Sequence, residues 1–323
     1  MLLPVVPLVL FLGTSTASCS RGSSPDDGEA DLPTRVDSSV DDSGTKTDTA
    51  ATDAGTSDSP PPACDPTKPF GTPVAISELN TADEDVVSDV SADGLTIYVA
   101  TNHAVTGVHL FLASRANKTA PFGALQPFFP GGSFDDWAVA LTSDGLTAVV
   151  SSDRNGANSD LYVATRATTF ATFGALGAAA STNSTGNEEG PRWAADGKTL
   201  YFDSTRGGTR HIWSASVVGA TFGAPQKLTE LASDALDAVP VLSPDELTIY
   251  FLSTRAPTTD GDIYVATRIS KTLPFTNVQP VASVNSPAID APGHISADGC
   301  TLYLSSHRAT PGKSDIFVAQ RPK

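Results

Sequence analysis

One motif occurs five times along this chain, and that repetition limits the fold more than any other feature of the sequence. Between Ser243 and Arg268 it reads SPDELTIYFLSTRAPTTDGDIYVATR. An acidic turn at Pro244-Asp245-Glu246 leads into a run of β-branched and aromatic residues. A polar loop follows, and a second such run opens at Asp262. Runs of this composition bounded by turn formers are the two strands of a hairpin. The turn position is held by Asp93, Asp144, Asp196, Asp245 and Asp298, at separations of 51, 52, 49 and 53 residues. After each turn come His103, Arg154, Arg206, Arg255 or Arg308, and the second strand opens with His109, Asp160, His211, Asp262 or Asp315. Ahead of each turn stands an acid: Asp85, Asp136, Glu188, Asp237 or Asp290. An aromatic turn recurs at Phe70, Phe122, Phe173, Phe222 and Phe275 and introduces a further short run.

A period near 50 residues with four short β-runs per unit is the pattern of a β-propeller, one antiparallel blade per unit. The expected fold is therefore all-β, with five blades over residues 64–323. The hairpin words, S-P/A-D-G-x-T-x-Y-x-x-S-x-R and D-I-Y-V-A-T-R, resemble the TolB-type, WD-repeat-like propeller repeats from Phe70 to Arg321. The resemblance implies a strand order within each blade of inner strand, hairpin pair and outer aromatic strand. The last blade then lacks its outer strand, and the run from Phe70 to Leu79 is expected to supply it and close the ring, removing a free sheet edge. In that closure Cys64 lies just before the borrowed strand and Cys300 begins a strand of the same blade, with one strand between the two. A disulfide between them is expected, worth up to about 5 kcal/mol in the chain-entropy model.

Residues 1–19 read as a targeting segment. Leu2 to Leu12 is an apolar run too short to span a bilayer, followed by small residues. Cys19 after Ala17-Ser18 resembles the lipobox of bacterial lipoproteins, in which the cysteine carries the lipid, although Thr16 stands where that motif usually has Leu. Residues 20–63 carry ten acids and three bases among Ser, Thr, Ala, Gly and Pro. With so little apolar surface to bury, this segment is expected to be a disordered tether. Export implies an oxidising compartment, where a disulfide persists. The formal net charge of −16 argues against nucleic acid as a partner, and no basic patch marks the body for anionic lipid.

Three groups of residues are candidates for chemistry. The acids Asp85, Asp136, Glu188, Asp237 and Asp290 are expected near the channel, but their identical repeat positions favour a structural role over catalysis, which needs carboxylates in differing environments. The hairpin pairs Arg154 with Asp160, Arg255 with Asp262 and Arg308 with Asp315 read as loop organisers, and His103 with His109 as part of a surface loop. Function is expected where the repeats disagree. One inner-strand position holds Asp89, Ala140, Arg192, Val241 and His294, beside a uniformly apolar neighbour. Strand alternation turns the variable position toward the channel, so Asp89, Arg192 and His294, with Trp137 nearby, are the candidate ligand-binding residues.

No nucleophile elbow, metalloprotease helix or phosphate loop occurs in the sequence. The expectation is a monomeric, non-enzymatic binding module of the cell envelope, anchored to the membrane only through lipid and using no cofactor or metal. Its partner would be an envelope protein or a cell-surface glycan. The contrasting expectation is a propeller that acts on or binds glycans with acids at the channel mouth.

Overall fold

In the computed structural model, residues 64–103, 107–129, 133–156, 158–257 and 260–323 are described. The expected leader, the tether and Cys19 lie outside them. A two-residue strand, β1 (Val74–Ala75), is followed by five hairpin-based units that form five separate antiparallel sheets. Blade one comprises β2 (Asp85–Val90), β3 (Thr96–Thr101), β4 (His109–Ser114) and β5 (Gln126–Pro127). Blade two comprises β6 (Asp136–Leu141), β7 (Thr147–Ser152), β8 (Asp160–Thr165) and β9 (Gly177–Ala178). Blade three holds β10 (Glu188–Trp193), β11 (Thr199–Ser204), β12 (His211–Val218), β13 (Thr221–Phe222) and β14 (Gln226–Lys227). Blade four is β15 (Asp237–Leu242), β16 (Thr248–Ser253), β17 (Asp262–Thr267) and β18 (Thr276–Pro280). Blade five is β19 (Asp290–Ile295), β20 (Thr301–Thr310) and β21 (Lys313–Gln320), completed by β1. The protein is a five-bladed β-propeller, with no helix among the described residues.

The ring closes as the repeat phase requires. Val74 pairs with Val318 and Ala75 with Phe317, so β1 is the outer strand of blade five. Asn80 extends the seam, its side chain accepting from the Ile316 amide and donating to the Ile316 carbonyl. Asn183 and Asn285 do the same for Leu161 and Ile263 in blades two and four. Cys64 and Cys300 form a disulfide with their Cα atoms 5.7 Å apart.

The turn aspartates act through local geometry. Asp93 Oδ1 accepts from the Leu95 amide and the Ser91 hydroxyl, and the four other turn acids likewise accept the amide two residues on. The next residue has positive φ and is Gly in four blades, as a tight turn favours. In blade four it is Glu246, at φ 59°.

Apolar side chains pack between blades rather than within them. Five buried clusters each draw on two neighbouring blades, so the ring has five interfaces and five small cores. At four of these interfaces an arginine at the end of the third strand ties one blade to the one before it. Arg115 donates to the Tyr303 hydroxyl and Arg321 to that of Tyr250, each at 3.0 Å. Arg166 and Arg268 take the equivalent places beside Tyr98 and Tyr201. Each of these arginines also lies over its own blade's aromatic turn, with Arg321 4.0 Å from the Phe70 ring centre. Between blades two and three both partners are missing: the tyrosine position holds Val149 and the arginine position Val217. These two valines belong to one apolar cluster with Trp193 and Phe222.

Candidate functional site

The five repeat acids open the inner strands, but none of them lines the channel. This corrects the expectation that Asp85, Asp136, Glu188, Asp237 and Asp290 approach its mouth. All are buried, because alternation turns them away from the axis and sends the following residue toward it. Each acid is instead the hub of a lock. Asp237 accepts from the Ser233 amide (2.7 Å) and hydroxyl (2.9 Å), the Ser253 hydroxyl (2.6 Å) and Arg255 Nη2 (2.6 Å).

These locks also correct the arginine pairing. The ion-pair partners of Arg154, Arg206, Arg255 and Arg308 are Asp136, Glu188, Asp237 and Asp290, not the hairpin residues Asp160, Asp262 and Asp315. The guanidiniums fold back onto the inner strand and lie against aromatic rings of their own blade. Blade one has no such arginine. There His103 Nδ1 sits 3.0 Å from Asp83 and His109 is buried rather than on a surface loop. Burial pushes the Asp85 carboxyl up, against its hydrogen bonds from Thr81 and Thr101.

The variable position builds the waist of the channel. Arg192 reaches from blade three to Asp89 of blade one, and its Nη2 donates to the carbonyls of Ser88 (2.7 Å) and Gly293 (2.6 Å). His294 Nδ1 of blade five lies 2.9 Å from Asp89 Oδ1, and Asp89 Oδ2 accepts from the Leu141 amide of blade two. Four blades are thereby knotted around one carboxylate. Gly293 makes the approach feasible, since a Cβ there would fall 2.4 Å from a Val87 methyl. Burial alone would raise the Asp89 carboxyl, but Arg192 and His294 outweigh it and hold it below its ordinary range.

Arg192 divides the channel into two unequal spaces. Where the inner strands end, beside the Asp turns, a wide cavity of about 1350 Å³ opens, with Asp89, Arg192 and His294 among its lining and Phe170 at its rim. Phe170 is 98% exposed. Where the inner strands begin, a narrow cavity of about 80 Å³ lies on the other side of Arg192. Trp137 lines this narrow cavity and not the wide one. The structure therefore brings Asp89, Arg192 and His294 together and places Trp137 apart from them.

A second polar cluster, unanticipated from the sequence, flanks the narrow cavity. Arg210 Nη1 donates to Glu189 Oε2 (2.7 Å) and Asp203 Oδ1 (2.6 Å), and Asp203 Oδ2 accepts from the Val239 amide of blade four (3.0 Å). The corresponding positions of the other blades hold Val86, Trp137, Ala238 and Ala291 for Glu189. For Asp203 they hold Ala100, Ser151, Leu252 and Ser305. Three coordinated departures within one blade were the available signal. Burial pushes the Glu189 carboxyl up, opposed by Arg210. Among the described residues no group of three His, Cys, Asp or Glu side chains could hold a metal ion.

No family profile matches this chain, and no curated protein matches it. Its architecture does recur among solved structures. A thermostable family-43 glycoside hydrolase aligns with a TM-score of 0.53 at 13% identity, over 75% of this chain and 90% of that one. TolB from Acinetobacter baumannii aligns at 0.48 and 17% identity, over 76% of this chain. The match spans 57% of that TolB's length. A putative TolB from Agrobacterium tumefaciens aligns at 0.43 and 18% identity, over 72% of this chain and 73% of that one. What is shared is the propeller. One architecture carries these different proteins, and fold does not fix function.

Proposed function

We propose that this propeller is an exported, lipid-anchored recognition module of the cell envelope, not an enzyme, and that it receives a protein partner at its wide mouth. The observation that carries this reading is the convergence of the non-repeating residues Asp89, Arg192 and His294 in the floor of the wide cavity. A carboxylate held ionised between a guanidinium and an imidazole has no proton to give, so it orders the floor rather than acting as a general acid. The exposed Phe170 offers an aromatic contact at the rim, of the kind that anchors protein interfaces. The disulfide agrees with an oxidising compartment, and the hairpin words resembling TolB-type repeats favour an envelope protein over a glycan.

The test replaces Phe170 with a photoreactive phenylalanine analogue and irradiates the protein in envelope extract. A discrete protein adduct is expected from position 170. None is expected when the same analogue replaces Ile269, which is exposed but lies outside the cavity. In parallel, the purified protein is assayed on polysaccharides. Turnover that disappears in Asp89→Asn would overturn the non-enzymatic reading.

A further inference from the structure

The narrow cavity gathers unmet polar atoms. Among the described residues, four buried side-chain atoms without a hydrogen-bond partner belong to residues that line it: Ser88 Oγ, Ser151 Oγ, Arg192 Nε and Arg210 Nη2. Each of these residues is at most 8% exposed. A buried donor left unmet costs about 1–3 kcal/mol, so four around one space mark a place where hydrogen-bond acceptors belong. We infer that this cavity is a binding site, separate from the wide mouth, for a compact uncharged group presenting carbonyl or hydroxyl oxygens.

The chemistry of the lining selects that class. Two of the unmet atoms are guanidinium N–H groups, which only donate, so the ligand must present acceptors. Both guanidiniums are already neutralised through their other nitrogens, Arg192 by Asp89 and Arg210 by Glu189 and Asp203. Two cations thus face three carboxylates, and an anion would enter against an adverse balance. A cation would meet donor-only nitrogens. The serine hydroxyls can donate or accept and so adapt to a neutral group with both functions. Half-buried Trp137 and the apolar Val86 and Val239 supply a wall for its carbon skeleton. About 80 Å³ is room for roughly two or three waters or one acetamide-sized group.

The backbone around the cavity is held in an unusual form. Val239 adopts φ 51°, a conformation that a β-branched residue rarely takes, and the Asp203 carboxylate holds its amide there. Gly190 is at φ 55°, and a Cβ at that position would fall 2.5 Å from Asp203 Oδ2. Outliers of this kind cluster where a ligand is gripped.

Acetamide, acetate and methylammonium, three probes of similar size, are titrated into the isotope-labelled full chain while the side-chain resonances of Arg192, Arg210 and Trp137 are followed. Saturable shifts are expected with acetamide, with acetate and methylammonium at least about tenfold weaker. Ser151→Ala and Ser88→Ala each delete one unmet hydroxyl and should weaken acetamide about three- to tenfold. The inference fails if no probe gives a saturable shift, which would leave water as the only occupant. It also fails if acetate or methylammonium binds as well as acetamide, or if both serine variants bind acetamide like the wild type.

Discussion

Ser253 and Ser151 stand one position apart in the second-strand repeat, both fully buried, yet they belong to different kinds of structure. The Ser253 hydroxyl donates to Asp237 and accepts from Arg255, as part of a lock of which every blade has a version. The Ser151 hydroxyl faces the channel and has no partner. The same contrast runs through the molecule. Around each opening acid, the lock's polar groups recur and are met within their own blade. Along the axis they differ from blade to blade, and some are left open. Pseudo-symmetry therefore separates the residues that hold the ring together from those available to recognise something.

Breaking a lock should have the largest effect. Asp237→Ala removes the carboxylate that neutralises the mostly buried Arg255 and should destabilise the fold by about 3–5 kcal/mol in chemical denaturation. A loss below about 1 kcal/mol would place the lock outside the stabilising frame. Next comes the ring closure. Replacing Cys64 and Cys300 with serine together should cost about 2–4 kcal/mol by the same measurement, because the bridge spans a sequence separation of 236 residues.

The serine pair sharpens the contrast further. Ser253→Ala should cost about 1–2 kcal/mol, whereas Ser151→Ala should leave stability within about 0.5 kcal/mol of the wild type or raise it. Equal losses at the two positions would erase the distinction between frame and channel. The smallest effect concerns blade one, which lacks the lock arginine. There burial raises the Asp85 carboxyl above its unfolded value, so the wild type loses stability as pH rises through the carboxylate range. His103→Arg should offset that loss by about 0.2–1 kcal/mol. The gain should be present at neutral pH and shrink as Asp85 protonates on acidification. A gain independent of pH would show that the arginine acts by some other contact.

The frame was legible because it is written five times. Turn aspartates, opening acids and aromatic turns keep their spacing, so blade number and ring closure could be read from the sequence. The arginine partners could not. Arg255 and Asp262 are close in sequence across a loop, while the true partner, Asp237, lies 18 residues back and meets Arg255 only when inner and second strands pair. The waist residues were legible as a position that varies beside one that does not. Trp137 was not separable from them, because sequence position does not show that Arg192 would cross the axis and partition the channel. Glu189, Asp203 and Arg210 lie in three different repeat positions, and their meeting depends on the inner strand of blade three bulging at Gly190. The Arg–Tyr ties escaped for the same reason, since each joins one repeat to another.

The Cys64–Cys300 bridge has a mechanical consequence. The seam that closes the ring is a short run around the two-residue β1, whereas Cys64 precedes β1 and is bonded to the residue that leads into β20, one of the longest strands of the last blade. A pull on the chain ahead of Cys64 is therefore transmitted through a covalent bond into β20. It bypasses the short seam around β1, which would otherwise take that load. The ring can be held by its N-terminal side under load without being unzipped from that side.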